Sequence, residues 1–284
     1  MKRYNPIVLI TQVSPISAIL GLFLIVPIAT ILIVSFWDYN EFMLLPDFVW
    51  TNYSDTLGSY VTYKTYLNTF KYTILTWFFT LVIGFPVAYF LCFHVKTLRG
   101  QIVLFLICTI PFWTSNIIRM ISWIPFLGRN GVFNSMLINI GLIGEPLEFL
   151  LFSDFAIVLA FVHLYTLFMV VPIFNSMIRI DRSVMEAAID AGANGWQMLT
   201  NVVIPLCKPG IAIGSIFVVT LVMGDYITVR LMGGGLRASV GVMMSNEISL
   251  LLYPPAAANA VVLLAVVLIL VSLMMRVVDL KKEL

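Results

Sequence analysis

Six long runs almost free of charge, at about residues 13–36, 67–94, 101–127, 153–178, 205–230 and 256–275, decide what this chain can fold into. A hydrocarbon core ~30 Å thick needs about 20 apolar residues of helix to cross it, and each run meets or approaches that length. Inside lipid every backbone N–H and C=O must find its partner within the protein, which leaves helices or a closed barrel. Barrel strands alternate apolar and polar residues, whereas these runs are continuously apolar, so the sequence reads as all-α with six transmembrane helices. Of the 284 residues, 61% are apolar and 11% charged, too few polar side chains to cover a surface in water. That excludes a soluble enzyme; a disordered chain, a charge-rich coiled coil and a collagen-like repeat are excluded by the same composition.

The few charges set the direction of the helices. The first run follows Lys2 and Arg3, as a secretory signal would, but it stays uncharged from Ile7 to Trp37 with no small-x-small cleavage site before Asp38. It is expected to be a retained first helix. With the amino terminus inside, Lys2, Arg3, Lys96, Arg99, Arg179, Arg182, Lys208, Arg276, Lys281 and Lys282 fall on the cytoplasmic side, against Lys64, Lys71, Arg129, Arg230 and Arg237 outside. This satisfies the positive-inside rule and predicts both termini cytoplasmic. The outer segments, about 37–66, 128–152 and 231–255 with their flanks, carry more acids than bases. Such a face suits a cationic solute or a basic partner, and it is also what positive-inside sorting leaves behind. Cys92, Cys108 and Cys207 lack any CxxC or Cys/His spacing and read as small apolar fillers.

The inner loop at 179–204 is the most informative stretch. Ser183 and Glu186 have the spacing of a capping box, which predicts a short helix from Ser183. Gly192 or Gly195 permits the left-handed turn that ends it, and a second short helix from about Trp196 leads to Pro205, suited to the first turn of the next span. Two short helices around a tight bend make a compact cytoplasmic knob. Ala187, Ala188 and Ala191 give it a surface on which a partner can come close; an amphipathic connector lying on the membrane lipid has the same pattern.

Glu186-Ala187-Ala188, then Gly192, then Val202-x-Ile204-Pro205 resembles the EAA signature of the membrane subunits of bacterial ABC importers, EAA-x3-G-x9-I-x-L-P, with Val and Ile as the departures at its end. A longer likeness, from about Trp77 to the last helix, includes Pro111-Phe112-Trp113-Thr114-Ser115-Asn116-Ile117-Ile118-Arg119 and Leu231-Met232-Gly233-Gly234. It is similar to the first permease subunit of polyamine (spermidine/putrescine) importers, a pattern shared with importers of opines, amino-acid-like and other small organic solutes. The resemblance implies a type I ABC importer permease fold over 1–284 as a single transmembrane domain in the bacterial cytoplasmic (inner) membrane. It implies that the EAA loop seats on a cytoplasmic ATPase, with Glu186 as the charged contact, Ala187 and Ala188 as the close-packed surface, Asp190 on the same side and Gly192 as the bend. It implies as partners a second homologous permease, two copies of the ATPase and an extracytoplasmic solute-binding protein. ATP and Mg would sit on the ATPase and no cofactor on this chain, which has no GxxxxGK[ST] loop. No nucleic-acid partner is expected.

Ionisable groups within spans are costly and therefore candidates for function. Asp225, beside Tyr226 near the outer end of the fifth run, suits pairing with an ammonium group, or local capping and pairing with Arg230. Arg119, beyond the kink expected at Pro111, lines the pathway or forms a structural or gating salt bridge with an acid on a neighbouring helix. His163 reads as a packing histidine rather than a proton relay. Trp113 and Tyr165 offer faces for an aliphatic polyamine and equally serve helix packing. Gly84-x-Pro86 and Pro172 predict kinks. An ion-coupled transporter would leave the EAA loop idle, and a membrane enzyme would need a cluster such as HExxH, which is lacking.

Overall fold

The computed structural model describes residues 14–40 and 43–277. The basic residues Lys2, Arg3, Lys281 and Lys282 and the acid Glu41 lie outside the described residues. The described chain is helical apart from one small hairpin, and it divides into two compact units.

The first unit comprises the described part of residues 1–63 together with 243–266. Its helix α1, Ser14–Val34, carries exposed apolar side chains along its length, as a lipid-facing helix does. Strands β1 (Trp37–Tyr39) and β2 (Leu44–Phe48) pair antiparallel in the segment expected as an outer loop, and helix α2 (Thr51–Gly58) follows. Phe36 stacks on Phe48 at 4.7 Å and meets Trp50 and Tyr53 at 5.1 and 5.0 Å. The buried Asn52 amide donates to the carbonyls of Ser35 (3.1 Å) and Trp37 (2.8 Å), fixing the exit from α1.

The second unit, residues 64–242 with the described part of 267–284, holds most of the buried core. Helix α3 runs Tyr60–Tyr89 and passes into a π-turn, Phe90–His94. Pro86 lies four residues before that turn and removes a backbone donor from the ladder, the usual cause of such a widening. Thr65, Thr69, Thr73, Thr76 and Thr80 form a buried stripe along α3. Thr69 and Thr73 turn their hydroxyls onto carbonyls four residues back, which satisfies them and keeps that face narrow.

The third apolar run becomes two helices at 87°. α4, Leu98–Thr109, ends in a 3₁₀ turn, Ile110–Trp113, and α5, Asn116–Leu127, starts afresh after Ser115. Pro111 removes one donor from the ladder; Ile110 before it stays helical, and the chain leaves the helix at Thr114 and Ser115, whose ψ angles are 147° and 136°. A short α6, Val132–Asn139, follows, and the buried Asn134 ties the loop by bonds to Gly128 and Leu147.

Helix α7, Asp154–Met177, is the central element, with eleven buried residues. Its N-terminal end is held by Asp154, which accepts from Lys71 Nζ (2.7 Å) and Tyr72 Oη (2.7 Å) and lies 3.5 Å from Arg237. After two short helices, α8 (Arg182–Asp190) and α9 (Gly195–Met198), the fifth run is also split. The segment Gly195–Leu206 meets α10, Lys208–Gly224, at 66° across Cys207. The span therefore restarts at Lys208 with Pro209 in its first turn, whereas Pro205 sits in the turn before the bend. Helices α11 (Ile227–Met232) and α12 (Val240–Ser249) precede the last helix, α13, Tyr253–Val277.

α7 and α10 form the most extensive helix pair of the chain. A Cβ on Gly210 would stand 2.5 Å from the Pro172 carbonyl oxygen and 2.5 Å from Ser176 Oγ, and one on Gly214 would stand 2.8 Å from Met169 Sδ. The spacing Gly210-x3-Gly214 thus brings two backbones together, as small residues do where apolar helices associate in lipid. Trp77 Nε1 donates to the neighbouring Ser215 Oγ at 2.8 Å, joining α3 to the pair. Taken with the two bent pairs, four to six segments are long and apolar enough to cross a membrane.

Candidate functional site

Two places gather the residues singled out in the sequence: the α8–α9 knob, and a groove along one face of α7.

The knob begins at Asp181 rather than Ser183. Its carboxylate accepts from the Ser183 backbone N–H at 3.0 Å, and α8 starts at Arg182, so the expected capping box is replaced by an Asp cap. An ionised cap faces the positive end of the helix, which favours it over a hydroxyl. Those Ser183 hydrogen bonds hold the Asp181 carboxyl below the usual carboxylate range. Met185 and Ala188, three residues apart, pack against the core. Glu186, Ala187 and Asp190 face outward and exposed, and Glu186 forms no ion pair among the described residues.

The helix ends at Gly192, whose φ of +83° is the left-handed conformation that a glycine adopts without strain. Its N–H donates to the Ile189 carbonyl (2.8 Å) and the Ala193 N–H to the Ala188 carbonyl (3.0 Å), the paired bonds of a Schellman ending. Gly192 and not Gly195 makes the bend; Gly195 opens α9, which Asn194 and Gln197 close with a reciprocal capping box. Of the apolar side chains that stand out from the knob, Ile189 at 61% and Trp196 at 72% are more exposed than Val184. Neither is given a contact role by the sequence alone; a large apolar residue on the exposed side of a short polar helix is the signal.

The groove follows the row His163, Leu167, Val171 and Asn175, spaced four residues apart and winding slowly round α7, and continues past the helix end to Arg179. Cavities of about 400, 380, 220 and 790 Å³ succeed one another along it and share walls: Arg119 and His163 between the first two, Phe112 and Leu167 next, then Pro172 and Phe217. Phe168 meets Tyr165, Phe217 and Phe112 at 6.1, 6.3 and 5.6 Å, an aromatic wall whose Phe112 and Phe217 rings are half exposed.

Asp225 and Tyr165, sixty residues apart in sequence, meet beside this wall. The Tyr165 hydroxyl donates to Asp225 Oδ2 at 2.7 Å. Asp225 also takes the Thr228 backbone N–H on Oδ1 (2.9 Å) and the Thr228 hydroxyl on Oδ2 (2.7 Å), capping α11. All three donors are neutral, and they leave one of the carboxylate's roughly four acceptor positions open. Local capping is real, and it leaves the carboxylate able to meet a cation. Tyr226 stands beside it, 39% exposed.

Arg119 differs from expectation: no acid among the described residues forms a salt bridge with it. A terminal nitrogen of its guanidinium donates to Asn116 on its own helix, and Nε has no partner although the side chain is only 9% exposed. His163 packs as expected, with Nδ1 accepting from Trp123 Nε1 at 3.0 Å. Trp113, 83% exposed on the 3₁₀ turn, walls neither cavity that contains Arg119. Cys92, Cys108 and Cys207 are free thiols.

No protein-family profile matches the sequence. The chain is 31% identical over 229 residues to the spermidine/putrescine transport system permease protein PotB of Haemophilus influenzae, covering 79% of this chain and 78% of that one. It is 30% identical over 199 residues to PotB of Escherichia coli, covering 70% and 71%. Among solved structures, a chain of a bacterial alginate ABC transporter, in complex with an alginate pentasaccharide-bound periplasmic protein, superposes with a TM-score of 0.72 at 16% identity. That match spans 94% of this chain and 92% of that one. At such identity the likeness speaks for the fold. Identity of 31% across nearly four-fifths of both proteins places the sequence more closely: the chain belongs to the spermidine/putrescine transport system permease (PotB) family and is a permease subunit of an ABC importer.

Proposed function

We propose that this chain forms one half of a polyamine pathway across the bacterial cytoplasmic membrane, with both termini inside. A second, homologous permease closes the groove. Two ATPase copies hydrolyse ATP below, receiving the α8–α9 knob, and an extracytoplasmic binding protein delivers solute above. This chain carries out no catalysis itself; it supplies the gated path and the mechanical link.

The carrying observation is the Asp225 carboxylate, held in place by Tyr165 and Thr228 next to the Phe168 wall of the groove. A polyamine is a row of ammonium groups joined by methylenes. The carboxylate suits an ammonium group through a charge-assisted hydrogen bond, and ring faces suit both cation and methylene stem. Alternating access at such a site follows from two half-pores rocking about it.

The test is uptake of labelled spermidine and putrescine by vesicles holding the assembled transporter. Asn caps a helix as well as Asp does, so Asp225→Asn keeps α11 in place while removing the charge. Uptake is expected to fall about tenfold or more, the equivalent of one lost charge-assisted bond, with the amount of assembled transporter unchanged. Wild-type uptake kinetics in Asp225→Asn would refute the role.

A further inference from the structure

Arg119 carries an unmet demand. A guanidinium offers five N–H donors and no acceptor, yet this one is nine-tenths buried with one neutral acceptor, Asn116, and an Nε that bonds nothing. Leaving a buried cation uncompensated is strongly unfavourable. The two cavities that share Arg119 also share Trp123 and His163. Because His163 Nδ1 accepts from Trp123, the neutral ring carries its proton on Nε2, a further donor. Neither cavity has a carboxylate in its wall. The Thr114, Ser122 and Thr166 hydroxyls spend their protons on backbone carbonyls and Trp123 its N–H on His163, so the donors left open are those of Arg119 and His163 Nε2, and what the cavities lack is an anionic acceptor.

Depth narrows what that acceptor is. His163 lies nine residues into α7, about 14 Å from its outer end at ~1.5 Å per residue. That is close to the middle of a ~30 Å hydrocarbon layer, out of reach of lipid phosphates. The mouth of one of these cavities is uncovered in the chain by itself, where Ile118, which walls it with Arg119, is 62% exposed.

We propose that the Arg119 cavity is a carboxylate-receiving site, filled in the assembled transporter by an Asp or Glu side chain from a membrane helix of the second permease. This rests on the reading that a second permease closes the groove. The resulting ion pair locks the two half-pathways in register at mid-membrane, beside His163. Arg119 is then an interface residue and not a solute contact.

The transporter is co-expressed with its neighbouring gene products and purified on a tag carried by this chain. With Arg119→Gln, recovery of the second permease is expected to fall about tenfold, the scale of one buried charge pair. Arg119→Lys, which keeps the charge, is expected to recover most of it, while both variants elute as monodisperse chains. Neutralising each membrane-embedded Asp or Glu of the second permease in turn should reveal one whose loss weakens the wild-type pair but adds nothing to Arg119→Gln. Equal recovery with Arg119→Gln, from a wild-type complex that does contain the second permease, overturns the site and leaves the pathway reading standing. Absence of the second permease from the wild-type complex overturns both. Thermal protection of the wild type, but not of Arg119→Gln, by 4-aminobutyrate and not by putrescine would assign the carboxylate to the solute and overturn the partner assignment.

Discussion

Valine in place of Gly210 is expected to lower the melting temperature of the purified permease more than valine in place of Gly214 or Gly224. The added Cβ would stand 2.5 Å from the Pro172 carbonyl oxygen, a backbone atom of a buried helix that cannot swing aside. Valine adds two methyl groups beyond that, so α7 and α10 must separate along their whole contact. Overpacking commonly costs about 1–3 kcal/mol and more where backbone is struck, and the damage here spreads to the Trp77–Ser215 bond that ties in α3. Gly214→Val is expected to do less, because its first obstacle is the flexible Met169 thioether. Gly224→Val, with nothing within 4 Å of its Cβ, is the control. Fluorescence-monitored melting of the three variants in one detergent ranks them, and equal melting of Gly210→Val and Gly224→Val would disprove the close approach.

That helix pair also marks the limit of what a sequence conveys. Long apolar runs are legible because lipid imposes one requirement on every residue of a span, and the break after Pro111 is legible because proline acts locally. The fifth run offered two prolines. Pro205 suited a helix start, but the bend falls at Cys207, since Pro209 removes a second donor four residues later. The hairpin of Trp37–Phe48 gave little sign of itself: its strands are short, one contains Pro46, and no Asn-Gly or Asp-Gly turn joins them. Of the site, the knob was readable through Glu186, Ala187, Ala188 and Gly192 because its bonds are local. Gly210-x3-Gly214 was present as a signal and was passed over. The Asp225–Tyr165 bond was beyond reach, because sixty residues separate the partners and only the packing of α11 against α7 brings them together.

Glu186→Ala is expected to uncouple the transporter without unfolding it. The side chain is exposed, forms no ion pair among the described residues, and sits on a helix where alanine is the better helix former. The inward residues Met185 and Ala188, the Asp181 cap and the Gly192 ending are all untouched, so α8 keeps its place. What changes is the outer face proposed to meet the ATPase, where the exposed Ile189 lies one turn on from Glu186 and α9 adds the exposed Trp196. An apolar pair with one charged anchor is the composition of a contact centre, in which removal of the anchor weakens binding by tenfold or more, about 1.4 kcal/mol at least. In proteoliposomes with the partner chains, uptake should fall at least tenfold. ATP hydrolysis should stop responding to solute-loaded binding protein while the permease melts at its wild-type temperature. Gly192→Ala approaches the same loop from its conformation: nothing crowds its Cβ, but alanine at a φ of +83° is strained by about 1–2 kcal/mol. The knob should therefore tilt and coupling weaken with Glu186 still in place. If Glu186→Ala retains solute-stimulated hydrolysis, the knob is not the contact that transmits ATPase closure, and force must reach the spans through another part of the cytoplasmic face.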